Sequence, residues 1–251
     1  MFENIKTLIK EKYTWWTNIR ESRQYKLEQS FLSDITFDFI TTLRLISLYS
    51  RRASHIYDSF LTITTIDDLI ESSIAILSMV NNGILNTSQR ELRYILEMAV
   101  KYGVTDWKLM GKSLEDKIRY FNEYLPKSSI SPIDDMHMPF VDEIFTEFKN
   151  DVKRIYSNKC KYVHPSKQQL EEQIRQSKRG YTIGYESATM LKQVNRAIFE
   201  VYDIILSILF SCFGESMSRD IFNQILNDNT KWKFHKGKYT SATSNELNCK
   251  P

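Results

Sequence analysis

The chain is patterned almost throughout with the period of an α-helix. Apolar residues recur three and four positions apart, which places them on one face of a helix at 100° per residue. Clusters of Ser, Thr, Asn, Asp, Gly and Pro separate these segments and mark their ends. The pattern predicts helices over 2–26, 27–49, 65–82, 89–102, 113–124, 140–163, 167–178, 186–213 and 216–226.

Three segments depart from this helical pattern. Residues 126–139 hold three of the five prolines and predict a loop that serves as a hinge or lid. Residues 179–185 (RGYTIGY) alternate like a strand and predict a small non-helical insertion. Residues 230–251 are polar and basic with little periodicity, which predicts a flexible tail behind a single helical domain over 1–229.

The most apolar run, 204–213 (IILSILFSCF), bears on the question of membrane insertion. It is about half as long as the roughly 20 residues that span a bilayer, so it predicts a buried core helix. The first residues, MFENIKTLIKEKYTWW, contain early acids and no uninterrupted apolar stretch, unlike a signal peptide. We therefore expect no membrane association.

Composition agrees with a soluble, all-α protein. Hydrophobic residues make up 42% of the 251 residues and charged residues 26%, while 7 Gly and 5 Pro leave little material for many tight turns. Cys160, Cys212 and Cys249 are odd in number and far apart, so neither a disulfide framework nor a zinc site is expected. This usage fits a reducing, cytoplasmic compartment.

The net charge of +3 hides a strong segregation of charge. Residues 149–181 carry nine Lys or Arg against three acids, and residues 231–251 carry five Lys against one Glu. A basic surplus of this kind attracts phosphate-rich partners such as RNA, although Lys-rich solvated faces are also common. In the tail, KWKFHKGKY (231–239) interleaves cations with rings, which suits stacking on a single-stranded nucleic acid or is simply a solvated end.

Lys159 occupies a position at which the helical pattern predicts an apolar residue. Lys159 falls in the middle of the stripe formed by its neighbours in 151–166 (DVKRIYSNKCKYVHPS), and Pro165 ends the helix just after His164. Burying an ammonium costs several kcal/mol unless it is paired, so Lys159 requires a partner or an anionic ligand. The apolar members of this stripe are Val152, Ile155, Tyr156, Cys160 and Val163.

Common catalytic motifs are missing from the sequence. It contains no Gly-rich phosphate loop, no nucleophile elbow and no His, Cys and carboxylate cluster with the spacing of a metal site. We therefore predict no metal and no cofactor.

Two segments resemble the HEPN superfamily, all-α domains best known as metal-independent ribonucleases of toxin–antitoxin and phage-defence systems. One is 156–166 (YSNKCKYVHPS), which is similar to the helix end with a Tyr and a His-Pro-Ser in several bacterial HEPN-like families. The other is 90–97 (RELRYILE), which is similar to the Arg- and Glu-bearing helix that precedes it. The resemblance implies a HEPN-like bundle of long antiparallel helices, a homodimer and a partner protein from the same operon.

The resemblance also implies roles for individual residues. His164 would be the general acid or base of RNA cleavage, and Lys159 would stabilise the charge on the phosphorane. The family has Arg at the position of Lys159, and Lys lacks the guanidinium fork that holds a phosphodiester in one orientation. The residues expected to bind and orient the substrate are Arg90, Arg93, Glu97, Tyr156, Lys161 and Tyr162.

Three interpretations of the sequence stay open. The chain is either an RNA-directed effector of bacterial defence that cleaves RNA without metal, or a non-catalytic HEPN-like module that binds a nucleotide, RNA or a protein. A third interpretation is a helical scaffold in which Lys159 is paired and His164 caps a helix. In the functional interpretation Glu97 is the partner of Lys159. In the alternative without a functional role, Arg93 and Glu97 form an exposed ion pair.

Overall fold

The computed structural model describes residues 2–52, 58–163, 187–228 and 231–247, together with 167, 170, 171, 174 and 178. Every regular element within these ranges is a helix, which confirms the predicted all-α fold class. The predicted non-helical insertion over 179–185 lies outside the described residues, as does His164. The α-helices are α1 (Phe2–Glu21), α2 (Arg23–Ser50), α3 (Leu61–Thr64), α4 (Ile66–Asn81), α5 (Leu85–Lys108), α6 (Leu114–Tyr124), α7 (Phe145–Cys160), α8 (Ala188–Phe213), α9 (Glu215–Asp228) and α10 (Lys238–Glu246).

Helix α8 forms the centre of the core. It packs against α2, α5 and α10, and α4 closes the layer by packing against α2 and α5. The run 204–213 is buried apart from a partly exposed Cys212, so the predicted core helix is confirmed. None of the helices in the described ranges is long and apolar enough to cross a membrane.

Helices α1 and α2 were expected to meet at residue 26, but the break lies at Ser22. Ser22 adopts an extended conformation, and its hydroxyl accepts a hydrogen bond from the amide of Tyr25 at 3.3 Å. A Ser that caps the next helix in this way ends one helix and begins another without a Gly or Pro. The periodic pattern continues across the break, so the sequence gives no sign of it.

Helix α5 runs five residues beyond Gly103, at which the pattern predicted its end. Gly103 lies inside the helix, where a Cβ atom would come within 2.6 Å of Met136 Cε and 2.8 Å of Ile208 Cγ2. The absent side chain thus allows α5 to lie close to α8 and to the short 3-10 helix Ser131–Asp135 within the predicted loop. Glycine serves close packing here and not helix termination.

The segment predicted to be a flexible tail is folded over 231–247. Trp232, Phe234, Tyr239 and Leu247 are buried, and the indole of Trp232 donates a hydrogen bond to Thr42 Oγ1 at 3.2 Å. Phe234 packs against α2 and α8, Trp232 against α9 and Tyr239 against α7. The aromatic residues of KWKFHKGKY are therefore buried in the core and are not available to stack on bases. The prediction of a flexible tail is wrong over 231–247 because a short aromatic segment can be held in a core by its rings without any helical periodicity.

A buried carboxylate of α8 holds this segment in place. Asp203 is 3% exposed and accepts hydrogen bonds from the backbone amides of Tyr239 and Thr240, each at 2.9 Å. These amides belong to the first turn of α10, whose own N-cap is Gly237 and has no side chain to offer. A side chain at 237 would collide with the carboxylate of Asp203.

Candidate functional site

The two segments that carry the HEPN resemblance lie against each other on α5 and α7. On α5, Arg90, Arg93 and Glu97 recur at helical spacing and therefore share one face. This face meets the end of α7, where Arg93 donates to the hydroxyl of Tyr156 at 2.6 Å and Arg90 donates to the carbonyl oxygen of Tyr162. The structure thus brings together residues that are 63 and 72 positions apart in the chain.

Glu97 is the centre of this arrangement. Its carboxylate forms ion pairs with Arg93 at 3.1 Å and Lys101 at 2.6 Å, and it accepts a hydrogen bond from the Tyr156 hydroxyl at 3.0 Å. The side chains of Arg93 and Glu97 are only 13% and 12% exposed. The alternative of an exposed Arg–Glu pair is therefore wrong. Because the cluster is shielded from water, the attraction between its charges is screened less than in a surface pair.

The cluster keeps its tyrosine protonated. Burial raises the pKa of Tyr156, and the hydrogen bond to Glu97 raises it further. Tyr156 is consequently a donor to Glu97 at neutral pH while it accepts from Arg93. The guanidinium of Arg93 also lies 4.7 Å from the centre of the Tyr156 ring, close enough for a cation–π interaction.

Lys159 is buried as the sequence predicted, but its partner is different. Its ammonium donates to the side-chain oxygen of Gln89, and the prediction that Glu97 would pair with it is wrong. Among the residues that the structure describes, no carboxylate lies within ion-pair distance of this ammonium. Burial lowers the pKa of Lys159 to about 8, against the weaker opposing influence of the charge on Glu200.

Sequence reasoning missed two contributors to the site, Lys101 and Ser128. Lys101 extends the α5 face by one turn and donates to Glu97 and to the backbone oxygen of Lys127 at 3.0 Å. Ser128 accepts a hydrogen bond from Arg93 at 2.8 Å. The spacing of four between Glu97 and Lys101 is a signal that was present in the sequence, whereas nothing local to Ser128 indicates its role.

A cavity of about 300 Å³ opens beside the cluster. Its polar wall comes from the α5 face and from the chain that follows α6, and its apolar wall comes from aromatic rings. The rings of Tyr102 and Phe121 lie 5.2 Å apart, and Tyr94 is about half exposed at the edge. The lining residues are Arg93, Tyr94, Glu97, Met98, Lys101, Tyr102, Phe121, Lys127 and Ser128.

The cavity is basic where its polar groups meet. Arg93, Lys101 and Lys127 stand against the single acid Glu97, a net charge of +2 among the lining residues. Burial raises the pKa of Tyr102, so its hydroxyl remains a neutral donor at physiological pH. Cations and hydroxyl donors beside flat rings suit a ligand that combines an anionic group with an aromatic one.

The remaining predicted residues lie near the end of α7. Lys161 donates to Asn158 at 3.1 Å, and Tyr162 contributes its backbone oxygen to Arg90. His164, the predicted acid or base, falls outside the described residues, so its distance to the cluster is not defined. Within the described ranges, no group of three His, Cys, Asp or Glu is placed to hold a metal ion.

Comparison of the chain with protein-family models, with curated proteins and with solved structures finds no match in any of the three.

Proposed function

We propose that this protein is a HEPN-like module that binds single-stranded RNA in the cytoplasm of a bacterium, as an effector of defence. The observation that carries the proposal is the cavity between α5, α6 and the chain after α6. Three cations and three rings line it, and they suit the phosphate and the base of a nucleotide, respectively. Its volume of about 300 Å³ matches the small end of the range for ligand pockets.

The position of the cavity also supports this proposal. Arg93 and Glu97 belong both to the cavity wall and to the cluster in which the two HEPN-like segments meet. A ligand bound there would therefore lie beside the residues that the resemblance selects. The link to defence and to a partner protein rests on the resemblance alone.

The first test is the affinity for a fluorescently labelled single-stranded RNA, measured by anisotropy over a series of salt concentrations. Lys127→Gln removes an exposed cation of the cavity and should weaken binding while reducing the salt slope by about 0.7. Phe121→Ala removes a stacking surface and should cost about 1–3 kcal/mol of binding free energy. Lys192→Gln, on an exposed turn of α8, serves as the control.

The two kinds of substitution separate the proposal from simple charge attraction. If Lys192→Gln weakens binding as much as Lys127→Gln, the RNA is held by general charge and not by the cavity. Wild-type protein without measurable affinity for RNA at low salt would refute the proposal outright.

A metal-independent ribonuclease is the second candidate function. It is favoured by the contact between Arg90 and the Tyr162 carbonyl, which joins the Arg-bearing helix to the backbone two residues before His164. Lys159 is poorly suited to its predicted catalytic role because it is 7% exposed and bonded to Gln89. The phosphate-contacting cation in such an enzyme would then be Arg90 or Arg93.

Cleavage is tested by incubating RNA with the protein in the presence of a chelator. The enzyme hypothesis predicts cleavage products that disappear in His164→Ala while the thermal unfolding temperature is retained. RNA that stays intact with wild-type protein, under conditions where it binds, would leave the binding module and eliminate the ribonuclease.

A further inference from the structure

The cavity beside the cluster is a pocket with a buried inner wall, and not a groove that crosses the surface. On the inner wall, the side chains of Arg93, Glu97 and Lys101 are 13%, 12% and 6% exposed. Tyr94 and Lys127, which also line the cavity, are exposed at its edge. A strand that continued in both directions would have to bend into this pocket and out again, whereas the end of a strand enters once.

Two donors of the inner wall are without an acceptor in the described part of the chain. Arg93 forms its hydrogen bonds through Nε and Nη2, which leaves Nη1. Lys101 donates two of its three hydrogens, to Glu97 and to the backbone oxygen of Lys127, which leaves the third. Together with the exposed ammonium of Lys127, these donors suit several oxygens of one anionic group.

The charge of the cavity matches a phosphate monoester better than a phosphodiester. Its three cations and the carboxylate of Glu97 leave a net charge of +2 among the lining residues. A phosphate monoester carries about −1.5 to −2 at pH 7, because its second pKa is near 6, and it offers three acceptor oxygens. A phosphodiester within a strand carries a single negative charge and offers one oxygen fewer. The monoester therefore neutralises the cavity, and the diester leaves positive charge uncompensated.

We propose that the cavity selects the end of an RNA strand by binding its terminal phosphate monoester. This inference rests on the proposed function, RNA binding in the cavity, and adds that strand ends are preferred to internal nucleotides. The terminal base would lie against the rings of Tyr102 and Phe121, whose centres are 5.2 Å apart. A 5′-phosphate and a 3′-phosphate present the same chemical group, and the experiment distinguishes them.

The test compares four RNAs of one sequence: with a 5′-phosphate, with a 3′-phosphate, with hydroxyls at both ends, and in circular form. Their affinities are measured by displacement of a fluorescently labelled RNA. A phosphate at one end at least should raise the affinity about 10-fold or more over the hydroxyl-ended RNA. The circular RNA, which has no terminal phosphate, should bind no more tightly than the hydroxyl-ended one.

A substitution and a change of pH locate this preference. Lys127→Gln removes one cation of the cavity and should reduce the preference for the phosphate-ended RNA about 3-fold. Lys192→Gln, on α8, should leave the preference unchanged. The preference should also shrink between pH 7.5 and pH 5, because the monoester takes up its second proton near pH 6 and loses the charge that the cavity matches.

The possible failures of this inference differ from a failure of the proposed function. RNA that binds equally with and without a terminal phosphate, or a circular RNA that binds as tightly as the phosphate-ended one, would overturn end selection and leave RNA binding in place. A preference that is the same at pH 5 and pH 7.5, or that Lys192→Gln reduces as much as Lys127→Gln, would overturn the assignment of the phosphate to this cavity. The absence of affinity for all four RNAs would remove the proposed function and this inference with it.

Discussion

Two buried lysines, Lys117 and Lys159, show how differently one fold can accommodate the same charge. Lys117 is completely buried and forms an ion pair with Asp106 at 3.0 Å, while its ammonium lies 4.2 Å from the centre of the Phe60 ring. Asp106 also accepts the backbone amides of Leu61 and Thr62, each at 2.9 Å, and so caps α3. Every hydrogen-bonding requirement of the carboxylate is met from inside the protein.

Lys159 has a neutral amide as its partner. Its hydrogen bond to Gln89 satisfies one donor but brings no opposing charge, and burial accordingly lowers its pKa to about 8. The comparison teaches that burial alone does not mark a functional cation. A buried cation with its own counter-ion holds the fold together, whereas one without a counter-ion is available to an anionic ligand or destabilises the fold until it loses its proton.

The largest expected effect is from removing the counter-ion of Lys117. Asp106→Ala leaves an unpaired buried ammonium and uncaps α3, which should reduce the free energy of unfolding by about 3–5 kcal/mol. Urea denaturation followed by circular dichroism measures this loss. Asp134→Ala removes the partner of Lys153 in a half-exposed pair and should change stability by less than about 1 kcal/mol. Equal losses of stability for the two variants would show that burial does not make the Asp106–Lys117 pair more important than the Asp134–Lys153 pair.

Lys159→Met should change the free energy of unfolding in the opposite direction to Asp106→Ala. Between the folded-state pKa of about 8 and the unfolded value near 10.4, the unfolded chain binds more protons, so wild-type stability rises with pH across that window. Below it the charged lysine opposes folding, and the variant should be more stable at neutral pH by roughly 1–2 kcal/mol after losing the Gln89 hydrogen bond.

The measurement is the unfolding free energy of both proteins from pH 7 to pH 10.5. Wild type should gain stability above pH 8, and Lys159→Met should lack that gain, while Lys192→Met on the surface keeps it. A variant that is less stable than wild type at neutral pH would show that Lys159 is a compensated structural charge, as in the scaffold interpretation.

Asp151 provides an intermediate case with a smaller effect. Partial burial acts to raise its pKa, but hydrogen bonds from Lys238, Tyr239 and Arg154 lower it to about 2. This stabilisation is present above the unfolded value near 3.9 and disappears as the pH falls from about 4 to 2. With solvent screening, Asp151→Asn should cost at most about 1 kcal/mol at neutral pH.

Acid unfolding monitored by tryptophan fluorescence tests this prediction. The difference in stability between wild type and Asp151→Asn should shrink as the pH falls from 4 to 2. A difference that stays constant over this interval would mean that protonation of the Asp151 carboxylate is not coupled to unfolding.

The sequence predicts the helices well because their periodicity is local. Helices α4 and α6 agree with the helices predicted over 65–82 and 113–124, and α6 begins where Ser113 accepts a hydrogen bond from the Asp116 amide at 3.1 Å. The roles of Gly103 and of residues 231–247 do not follow from the sequence, because they depend on residues that are distant in the chain. Close packing against Ile208 and docking on Asp203 leave no mark on the neighbouring sequence.

For the candidate site, the sequence predicts the faces but not the pairs. The shared face of Arg93 and Glu97 and the burial of Lys159 follow from helical spacing. The choice of Gln89 over Glu97 as the partner of Lys159 depends on how α7 is rotated against α5. That rotation is set by the whole interface between the two helices, which no short pattern encodes.

The contact between Asp203 and α10 has a consequence for the order in which the protein assembles during synthesis. During synthesis α8 leaves the ribosome before residues 231–247. The carboxylate of Asp203 therefore lacks its hydrogen-bond donors, the amides of Tyr239 and Thr240, until the later segment has emerged. Until then the cleft that receives Trp232 and Phe234 is open to water, and apolar surface is exposed to other chains. The docking of α10 therefore closes the core only after the chain has been synthesised past residue 240.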